Sequence, residues 1–524
     1  MTTAGAVPQR SPFLDAVLTH IDNVLNLGRD VYGPRPTPLF VDGIDVDTHR
    51  PATWRETPDS PEWVMVNLAS QQNLFRTLDA LTTITGQGRY RAAAEGAMAY
   101  GFEHLQADNG LMHWGGHRLY DAATGRCEGE RVKHELKSTC PYYEFLWRLS
   151  PDRTRRFIEA FWDGCVRRWD ILDFDRHAYY DHSTSADIWG RSYTGGPVPF
   201  EGEGLTFSNA GADLYYSAVM LHRLSGGADQ RPLEWARRLA RRYVEARDPT
   251  TGLGADNYSG RPDHRMEKQF PQFNGRFSEA TVTSLYGSRY HHAAYCQMRL
   301  AEDLGEAGRE FLQWAVEDLE AYAKWAWDPA DRGFLMTLID GTRLGPEDRK
   351  LDGYVGRWSL SKRAAEPYVL LSYALAWRLT GRESMRRMAM ELAGALGLLD
   401  HREPVATVHR GRGHGYGHGA AWTILSLLEM HRASGEQALL ERARVAGQRA
   451  VAHCLQKGFL APSPMHRFSK FDTQLPLALL ELHRALVEPA LPLPRHYGGG
   501  GSFQCPYMGR RHFDYVVYEQ QRQE

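Results

Sequence analysis

The chain has 524 residues, of which 42% are hydrophobic and 24% charged, a composition typical of a globular protein rather than a disordered or fibrous one. Lys and Arg total 62 against 64 Asp and Glu, and the net charge of −2 gives no overall positive field for nucleic acid or an anionic membrane. The predicted partners therefore exclude both, and any recognition of an anion has to be local.

The chain begins MTTAGAVPQRSPFLDAVL, which has neither the charged start nor the apolar run of a secretory signal. No later stretch approaches the about 18 apolar residues of a membrane span. These features predict a cytoplasmic protein. The six cysteines are scattered without a Cys-x-x-Cys pair, which predicts reduced, mostly buried thiols.

Apolar spacing with a 3.6-residue period predicts amphipathic helices along nearly the whole chain. They cover 12–27, 67–83, 89–106, 141–150, 153–169, 209–225, 231–247, 279–304, 308–326, 364–380, 382–398, 419–433, 436–456 and 473–487. Gly, Pro and Asp clusters separate them, and the segments group into about seven antiparallel pairs.

Strand signals are few, with small hairpins expected near 39–43 and within 111–121. The predicted fold class is all-α dominated, an α/α barrel (toroid) of about seven helix pairs with minor β hairpins. A TPR-like or HEAT-like solenoid is the structural alternative, although no fixed-period repeat is visible. Residues 1–487 are predicted to form one catalytic domain, followed by a Pro/Gly-rich C-terminal strap over 488–524.

Chemistry-bearing side chains concentrate between residues 111 and 182, where His117, Glu135 and His177 lie among other acids and bases. Imidazole nitrogen and carboxylate oxygen suit borderline divalent ions, so the three could form a metal site. Spacing alone favours structural roles: His117 capping a turn, Glu135 pairing with Lys133 or Lys137, and His177 at a helix end.

Several separate blocks in this region and beyond it resemble the family-2 polysaccharide lyases, the pectate and exopolygalacturonate lyases. The blocks are WGGH, HELK followed by PYYEFLW, FIEAFW, DFDRH, TPLFVDG, NLASQQN, LTFSNAGADLYYSA, ARDPTTG and DGYVG. They agree in order and spacing over most of residues 30–400.

The resemblance implies an α/α barrel with a catalytic metal, often manganese, held by His117, Glu135 and His177. It further implies that Arg176, beside the last histidine, is the base. Manganese is the predicted ion, with nickel, cobalt, zinc and iron as alternatives. Lys137 is the alternative base, and a carboxylate clamp is the alternative role for Arg176.

Substrate-binding residues are expected in two further segments. HRMEKQFPQFNGRF resembles the family's basic segment and offers Arg265, Lys268 and Arg276, although Lys268 stands where relatives tend to carry arginine. A glycine-rich segment contributes His414 and His418, which we predict to bind sugar hydroxyls or carboxylates. Metal binding there is the alternative reading.

The predicted function is a metal-dependent lyase acting on an anionic uronate oligosaccharide or polysaccharide, with pectate or oligogalacturonide favoured. The reaction would be β-elimination to a 4,5-unsaturated product. The sequence leaves the polymer, endo or exo action and the oligomeric state open. One alternative is a glycoside hydrolase with two carboxylates drawn from Asp173, Asp175, Asp181 and Asp187. The other is a non-catalytic helical carbohydrate-binding protein.

Overall fold

The computed structural model describes residues 10–55, 59–196, 198, 206–255, 257–258, 292–344, 363–399 and 416–498. Fourteen α-helices lie in these ranges. They are α1 (Pro12–Leu27), α2 (Gln72–Thr85), α3 (Arg89–His104), α4 (Tyr143–Leu149), α5 (Pro151–Cys165), α6 (Ser208–Leu224), α7 (Arg231–Glu245), α8 (Ala294–Leu304), α9 (Arg309–Ala326), α10 (Pro367–Thr380), α11 (Glu383–Ala395), α12 (Tyr416–Ser434), α13 (Gln437–Cys454) and α14 (Leu475–Val487).

The even-numbered helices form an inner ring. Each of α4, α6, α8, α10, α12 and α14 packs against the next, and α14 packs against α2. Between α2 and α4 the rings of Phe75 and Phe145 lie 5.7 Å apart. The odd-numbered helices form an outer layer, in which α3, α5, α7, α9, α11 and α13 each pack on the inner helix that precedes them. The arrangement is a closed α/α barrel of seven helix pairs within the described residues.

Helix α1 completes the last pair by packing on α14, so the two ends of the barrel domain close the ring together. Ser11 caps α1 by accepting a hydrogen bond from the backbone N–H of Leu14, and its hydroxyl also lies 2.9 Å from Nδ1 of His483 in α14. The Ser11 side chain thus caps the N-terminus of α1 and also links α1 to α14.

Burial explains which helices lie inside. Helix α6 is buried over almost its whole circumference, as expected of a helix surrounded by others. Helix α7 instead buries one stripe, which includes Leu233, Trp235 and Leu239, and leaves Arg231 and Arg241 exposed on the opposite face. None of the helices in the described ranges is long and apolar enough to cross a membrane.

The two ends of the barrel differ in their connections. An inner helix reaches its outer partner through a short turn, such as 86–88 or 381–382. An outer helix reaches the next inner helix through a long connection, such as 105–142 or 166–207. All strands of the described residues lie in these long connections, so the inner helices begin at an end rich in β structure.

The strands are short and antiparallel. They are β1 (Gly43–Asp45), β2 (Thr53–Trp54), β3 (Trp63–Val66), β4 (Arg118–Asp121), β5 (Arg126–Gly129), β6 (Lys133–Glu135), β7 (Val166–Arg168), β8 (Asp173–Phe174), β9 (His177–Tyr179), β10 (Thr206–Phe207), β11 (Asn257–Tyr258), β12 (Trp327–Asp328), β13 (Gly333–Phe334), β14 (Arg363–Ala364), β15 (Leu455–Gln456), β16 (Phe459–Leu460) and β17 (Phe468–Lys470). The sheet orders are β2-β3-β4-β5, β12-β13-β14, β1-β17, β6-β9, β7-β8, β10-β11 and β15-β16.

The predicted fold class is confirmed, and the closed ring excludes the open solenoid. One helix prediction was too long. The periodicity of 153–169 predicted helix to its end, but α5 stops at Cys165 because Val166–Arg168 pair with β8. The division into residues 1–487 and 488–524 stays a prediction.

A chain of ion pairs, here called the girdle, links all seven inner helices. Its contacts are Arg148–Asp79 (2.6 Å), Arg223–Glu144 (3.5 Å), Arg223–Asp303 (2.7 Å), Arg378–Glu302 (2.6 Å), Arg299–Glu429 (2.8 Å), Arg378–Glu429 and Arg432–Glu481 (2.9 Å). From α6 to α12 its members lie in the C-terminal halves of the helices, at the short-turn end. Between α6 and α12 the girdle therefore ties the inner helices together towards the end opposite the β structure.

Glu429 is the carboxylate on which three girdle arginines converge. Its side chain is buried, and Arg299, Arg378 and Arg432 all contact it. Burial alone would raise the pKa of Glu429, but the charges of these arginines outweigh that effect and lower the pKa to about 2.

We predict that Glu429→Gln destabilises the protein by about 3–5 kcal/mol, because it leaves the buried Arg299 and the half-buried Arg378 without the charge of this carboxylate. Urea unfolding measures the change. Glu441→Gln is the control, since Glu441 pairs with Arg444 on the exposed face of α13.

The pKa of such a carboxyl group is lower in the folded protein than in the unfolded chain. The group therefore stabilises the fold at pH values above its unfolded-state pKa, and this contribution is lost as the pH falls through its folded-state pKa. The difference between wild type and Glu429→Gln should therefore shrink as the pH falls from 4.5 towards 2. Equal free energies of unfolding of wild type and Glu429→Gln at neutral pH would contradict the prediction.

Candidate active site

Two of the three predicted metal ligands face each other on a short ladder. β6 pairs with β9, and the register sets Glu135 directly opposite His177. Such residues hold their Cβ atoms roughly 4.5–5.5 Å apart. His134, the residue before Glu135 on β6, points to the other face, where its Nε2 accepts a hydrogen bond from the indole N–H of Trp114 (3.1 Å). Strand alternation thus separates a core histidine from the two site residues.

The WGGH motif lets His117 approach this ladder. The backbone N–H of Gly116 donates to the carbonyl oxygen of Glu135 (2.9 Å). Gly115 has a φ of 97°, and a Cβ there would lie 2.2 Å from the same oxygen. A Cβ at Gly116 would lie 2.6 Å from Oε2 of Glu135. Both positions need glycine because the chain runs directly against Glu135.

The three side chains converge. Nε2 of His117 lies 3.3 Å from Oε2 of Glu135, and Nε2 of His177 lies 3.7 Å from Oε1. One donor atom from each residue lies within 4.8 Å of the others. Nitrogen and oxygen ligands lie about 2.0–2.2 Å from a zinc-sized ion, so one ion could contact all three.

A carboxylate lies beside the second nitrogen of each histidine. Nδ1 of His117 is 3.1 Å from Glu130, and Nδ1 of His177 is 3.2 Å from Asp175. Carboxylates in this position orient metal-binding histidines and direct Nε2 towards the ion. The sequence reasoning missed both partners. The two-residue spacing of Asp175 and His177 in DFDRH could have signalled one of them, whereas Glu130 follows a separate strand.

Two further cations contact Glu135. Nε of Arg176 lies 2.6 Å and Nζ of Lys137 lies 3.1 Å from Oε1 of Glu135. Burial would raise the pKa of Glu135, but the hydrogen bond with His117 and the charges of Lys137 and Arg176 lower it overall. Glu135 is therefore ionised. Burial, assisted by the charge of Arg176, lowers the pKa of Lys137.

The arrangement fits a divalent cation. Burial lowers the pKa of His177, which favours the neutral imidazole that binds metals. Its buried Nε2 has no hydrogen-bond partner among the described residues, although it points towards Glu135. Two imidazole nitrogens and one carboxylate oxygen form a donor set that suits manganese, iron, cobalt, nickel or zinc.

The chain matches the profile of a family described as "Periplasmic pectate lyase" over residues 37–506. It belongs to that family. The chain is therefore a polysaccharide lyase of the pectate lyase type, whose substrate class is an anionic uronate polysaccharide or oligosaccharide. The resemblance seen in the sequence is confirmed.

One relative in the comparisons is a protein of Dickeya dadantii (strain 3937) named "Pectate disaccharide-lyase". The two are 28% identical, and the match covers 95% of this chain and 94% of that protein. Among solved structures, a cellobiose 2-epimerase from Bacillus thermoamylovorans B4167 is 10% identical with a TM-score of 0.47, and the match covers 90% of this chain and 98% of that one. An α-1,6-mannanase from Salegentibacter sp. HEL1_6 is 11% identical with a TM-score of 0.43, covering 91% and 100%.

The family description corrects the predicted compartment. The cytoplasmic prediction is wrong, because the pectate lyase family that the chain belongs to is described as periplasmic. The prediction rested on the missing signal-like run at the N-terminus, and the absence of such a run does not specify a compartment.

Membership of the pectate lyase family also excludes the hydrolase alternative, and the contacts of its candidate carboxylates agree. Asp175 lies against His177, and Asp187 pairs with Arg231 (3.1 Å). These two acids therefore have partners other than each other.

Most of the predicted substrate contacts fall outside the described residues. Arg265, Lys268 and Arg276 lie between α7 and α8 in the sequence, and His414 lies just before α12. His418 belongs to the first turn of α12, but its side chain is not described. All five stay predictions.

Proposed function

We propose that this pectate lyase family member is a divalent-metal-dependent enzyme that cleaves pectate or oligogalacturonide by β-elimination, giving 4,5-unsaturated products. The convergence of His117, Glu135 and His177 carries the proposal. Manganese is the proposed ion, with nickel, cobalt, zinc or iron as alternatives. The name of the Dickeya relative supports release of disaccharides.

The three converging side chains would hold the ion, and Glu130 and Asp175 would fix the two imidazole rings. When bound, the ion supplies Lewis-acid stabilisation of the negative charge that develops on the uronate carboxylate. Lys137 is about one-fifth exposed and Arg176 about one-tenth exposed, so both cations reach the surface of the site, where that carboxylate would bind.

We propose Arg176, acting as the neutral guanidine, as the base that takes up the C5 proton, as the resemblance implies, and Lys137, acting as the neutral amine, as the alternative. The electrons of the broken C5–H bond form the C4–C5 double bond, and O4 leaves with the departing sugar and takes a proton from water. Arg167 holds the start of β9, next to Arg176, because it donates to the carbonyl oxygen of His177 (3.0 Å).

The proposed function gives a first prediction of its own, on metal dependence and substrate. EDTA should abolish the rise in ultraviolet absorbance that an unsaturated product causes, and added manganese should restore it. The assay should compare polygalacturonate, oligogalacturonides, alginate and glucuronan. His117→Ala and Glu135→Ala should be inactive with every ion. Full activity after chelation, or in either variant, would contradict the proposed metal site.

The carboxylates behind the histidines give a second prediction. Glu130→Gln and Asp175→Asn should each weaken manganese binding about 10–100-fold, because the imidazole rings lose their orienting partners. Calorimetric titration of manganese measures the affinity. Asp170→Asn is the matched control, since Asp170 pairs with Arg168 at the surface. Unchanged affinity in both variants would argue against the orienting role.

A third prediction separates the two candidate bases. Removal of a general base lowers kcat about 10²–10⁴-fold. Arg176→Ala should show a loss of this size at saturating manganese, and Lys137→Met a smaller one. The reverse order would make Lys137 the base. Manganese titration of both variants is needed, because each residue also contacts Glu135.

A further inference from the structure

The described part of the C-terminal strap, residues 488–498, is here called the tail, and it enters the barrel. It leaves α14 exposed at residues 488–490, but His496 and Tyr497 are only 5% and 1% exposed. Arg495 pairs with Asp303 (2.7 Å) at the girdle, and the hydroxyl of Tyr497 donates to the same carboxylate. The tail therefore begins at the short-turn end of the inner ring.

The next contacts come from several sides of the ring. The ring of Tyr497 lies 4.8 Å from that of Tyr216 in α6, and the ring of His496 lies 5.0 Å from that of Trp422 in α12. Tyr295 in α8 donates to the backbone carbonyl of His496 (3.2 Å). Contacts with α6, α8 and α12 together place these tail residues in the lumen between the inner helices.

Gly498 brings the tail to the opposite end of the lumen. A Cβ there would lie 2.6 Å from Cε1 of His292, which precedes α8, and 3.2 Å from the carbonyl oxygen of Ser138. Ser138 belongs to the floor loop, residues 136–142, which runs from the metal-ligand strand β6 to α4 and includes Lys137.

The floor loop is held in a strained conformation by buried polar contacts. Ser138 and Cys140 have φ values of 57° and 42°, a region that non-glycine residues rarely adopt. Asp213 accepts the backbone N–H groups of Thr139 (3.0 Å) and Cys140 (2.5 Å). Arg76 donates to the carbonyl oxygen of Cys140 (2.7 Å). Strain of this kind persists only where the surroundings fix it.

We propose that Gly498 is a positioning residue that seats the C-terminal tail against the floor loop and thereby fixes Lys137 beside Glu135. The role of Lys137 in elimination rests on the proposed function, but the mechanical link does not. Glu135 itself is held independently, by its pairing with β9 and by the N–H of Gly116. The tail therefore acts on Lys137 and leaves the three metal ligands in place.

Gly498→Val in the full chain tests this link, because an added Cβ would lie 2.6 Å from the His292 ring and 3.2 Å from the carbonyl oxygen of Ser138, so the packing around it has to shift. A shift of the tail or of the floor loop would loosen the packing between them. We expect kcat/KM to fall about tenfold while the affinity for manganese stays within twofold of wild type. If the effect passes through Lys137, Gly498→Val should cause no further loss in a Lys137→Met background. Wild-type kcat/KM, or losses that multiply in the double variant, would overturn the proposal.

Two controls separate positioning from general destabilisation. Gly447→Val creates a matched clash in α13, where a Cβ would lie 2.4 Å from Leu482, far along the chain from the floor loop. Pro492→Ala changes an exposed tail residue. Neither control should alter kcat/KM, although Gly447→Val should lower the melting temperature. Equal losses in Gly447→Val and Gly498→Val would overturn the proposal.

Hydrogen–deuterium exchange gives a readout that needs no turnover. Backbone amides of residues 136–142 should exchange faster in Gly498→Val than in wild type or either control. Unchanged exchange would overturn the link between tail and loop. If wild type forms no unsaturated product but the exchange rates respond as expected, the proposed function fails while the mechanical link stands.

Discussion

Helix α14 packs on α2 and on α1, so the barrel closes only when both ends of its domain are in place. The barrel has two unlike ends, because each inner helix from α2 to α12 reaches its outer partner by a short turn and every inner helix receives the chain through a long connection. The girdle occupies the first end and the candidate metal centre the second. Both the rigidity of the ring and the room for a site therefore follow from this closure.

Glu135 is the central charged group at the β-rich end of the barrel. Its buried carboxylate contacts two histidines, Lys137 and Arg176, while Glu130 and Asp175 lie at the outer nitrogens of the two imidazole rings. Replacing buried ion pairs by apolar side chains is often neutral or stabilising, so such a cluster is not explained by stability. The proposed chemistry accounts for it, since Lys137, Arg176 and a bound divalent ion would attract the carboxylate of a uronate and would stabilise the charge that develops there.

The sequence was sufficient for the helices but only partly for the site. Each of the fourteen predicted helices has a counterpart in the described residues, because an amphipathic period survives any change in neighbours. Spacing alone could not bring His117 to Glu135, since their approach depends on a β ladder and two glycines, and only the resemblance joined them. Glu130 was missed for the same reason. The strap over 488–524 was predicted, but the path of its first residues through the lumen was not, because proline and glycine specify no partner.

The tail in the lumen connects the girdle with the candidate active site. Arg495 and Tyr497 contact Asp303, which also pairs with Arg223 of the girdle, and Gly498 touches the floor loop three residues along the chain. A segment that contacts both ends of the ring makes the geometry around Lys137 depend on the packing of the inner helices. Loosening the ring should then disturb Lys137 before it disturbs Glu135, because the carboxylate is held by its own strand pairing.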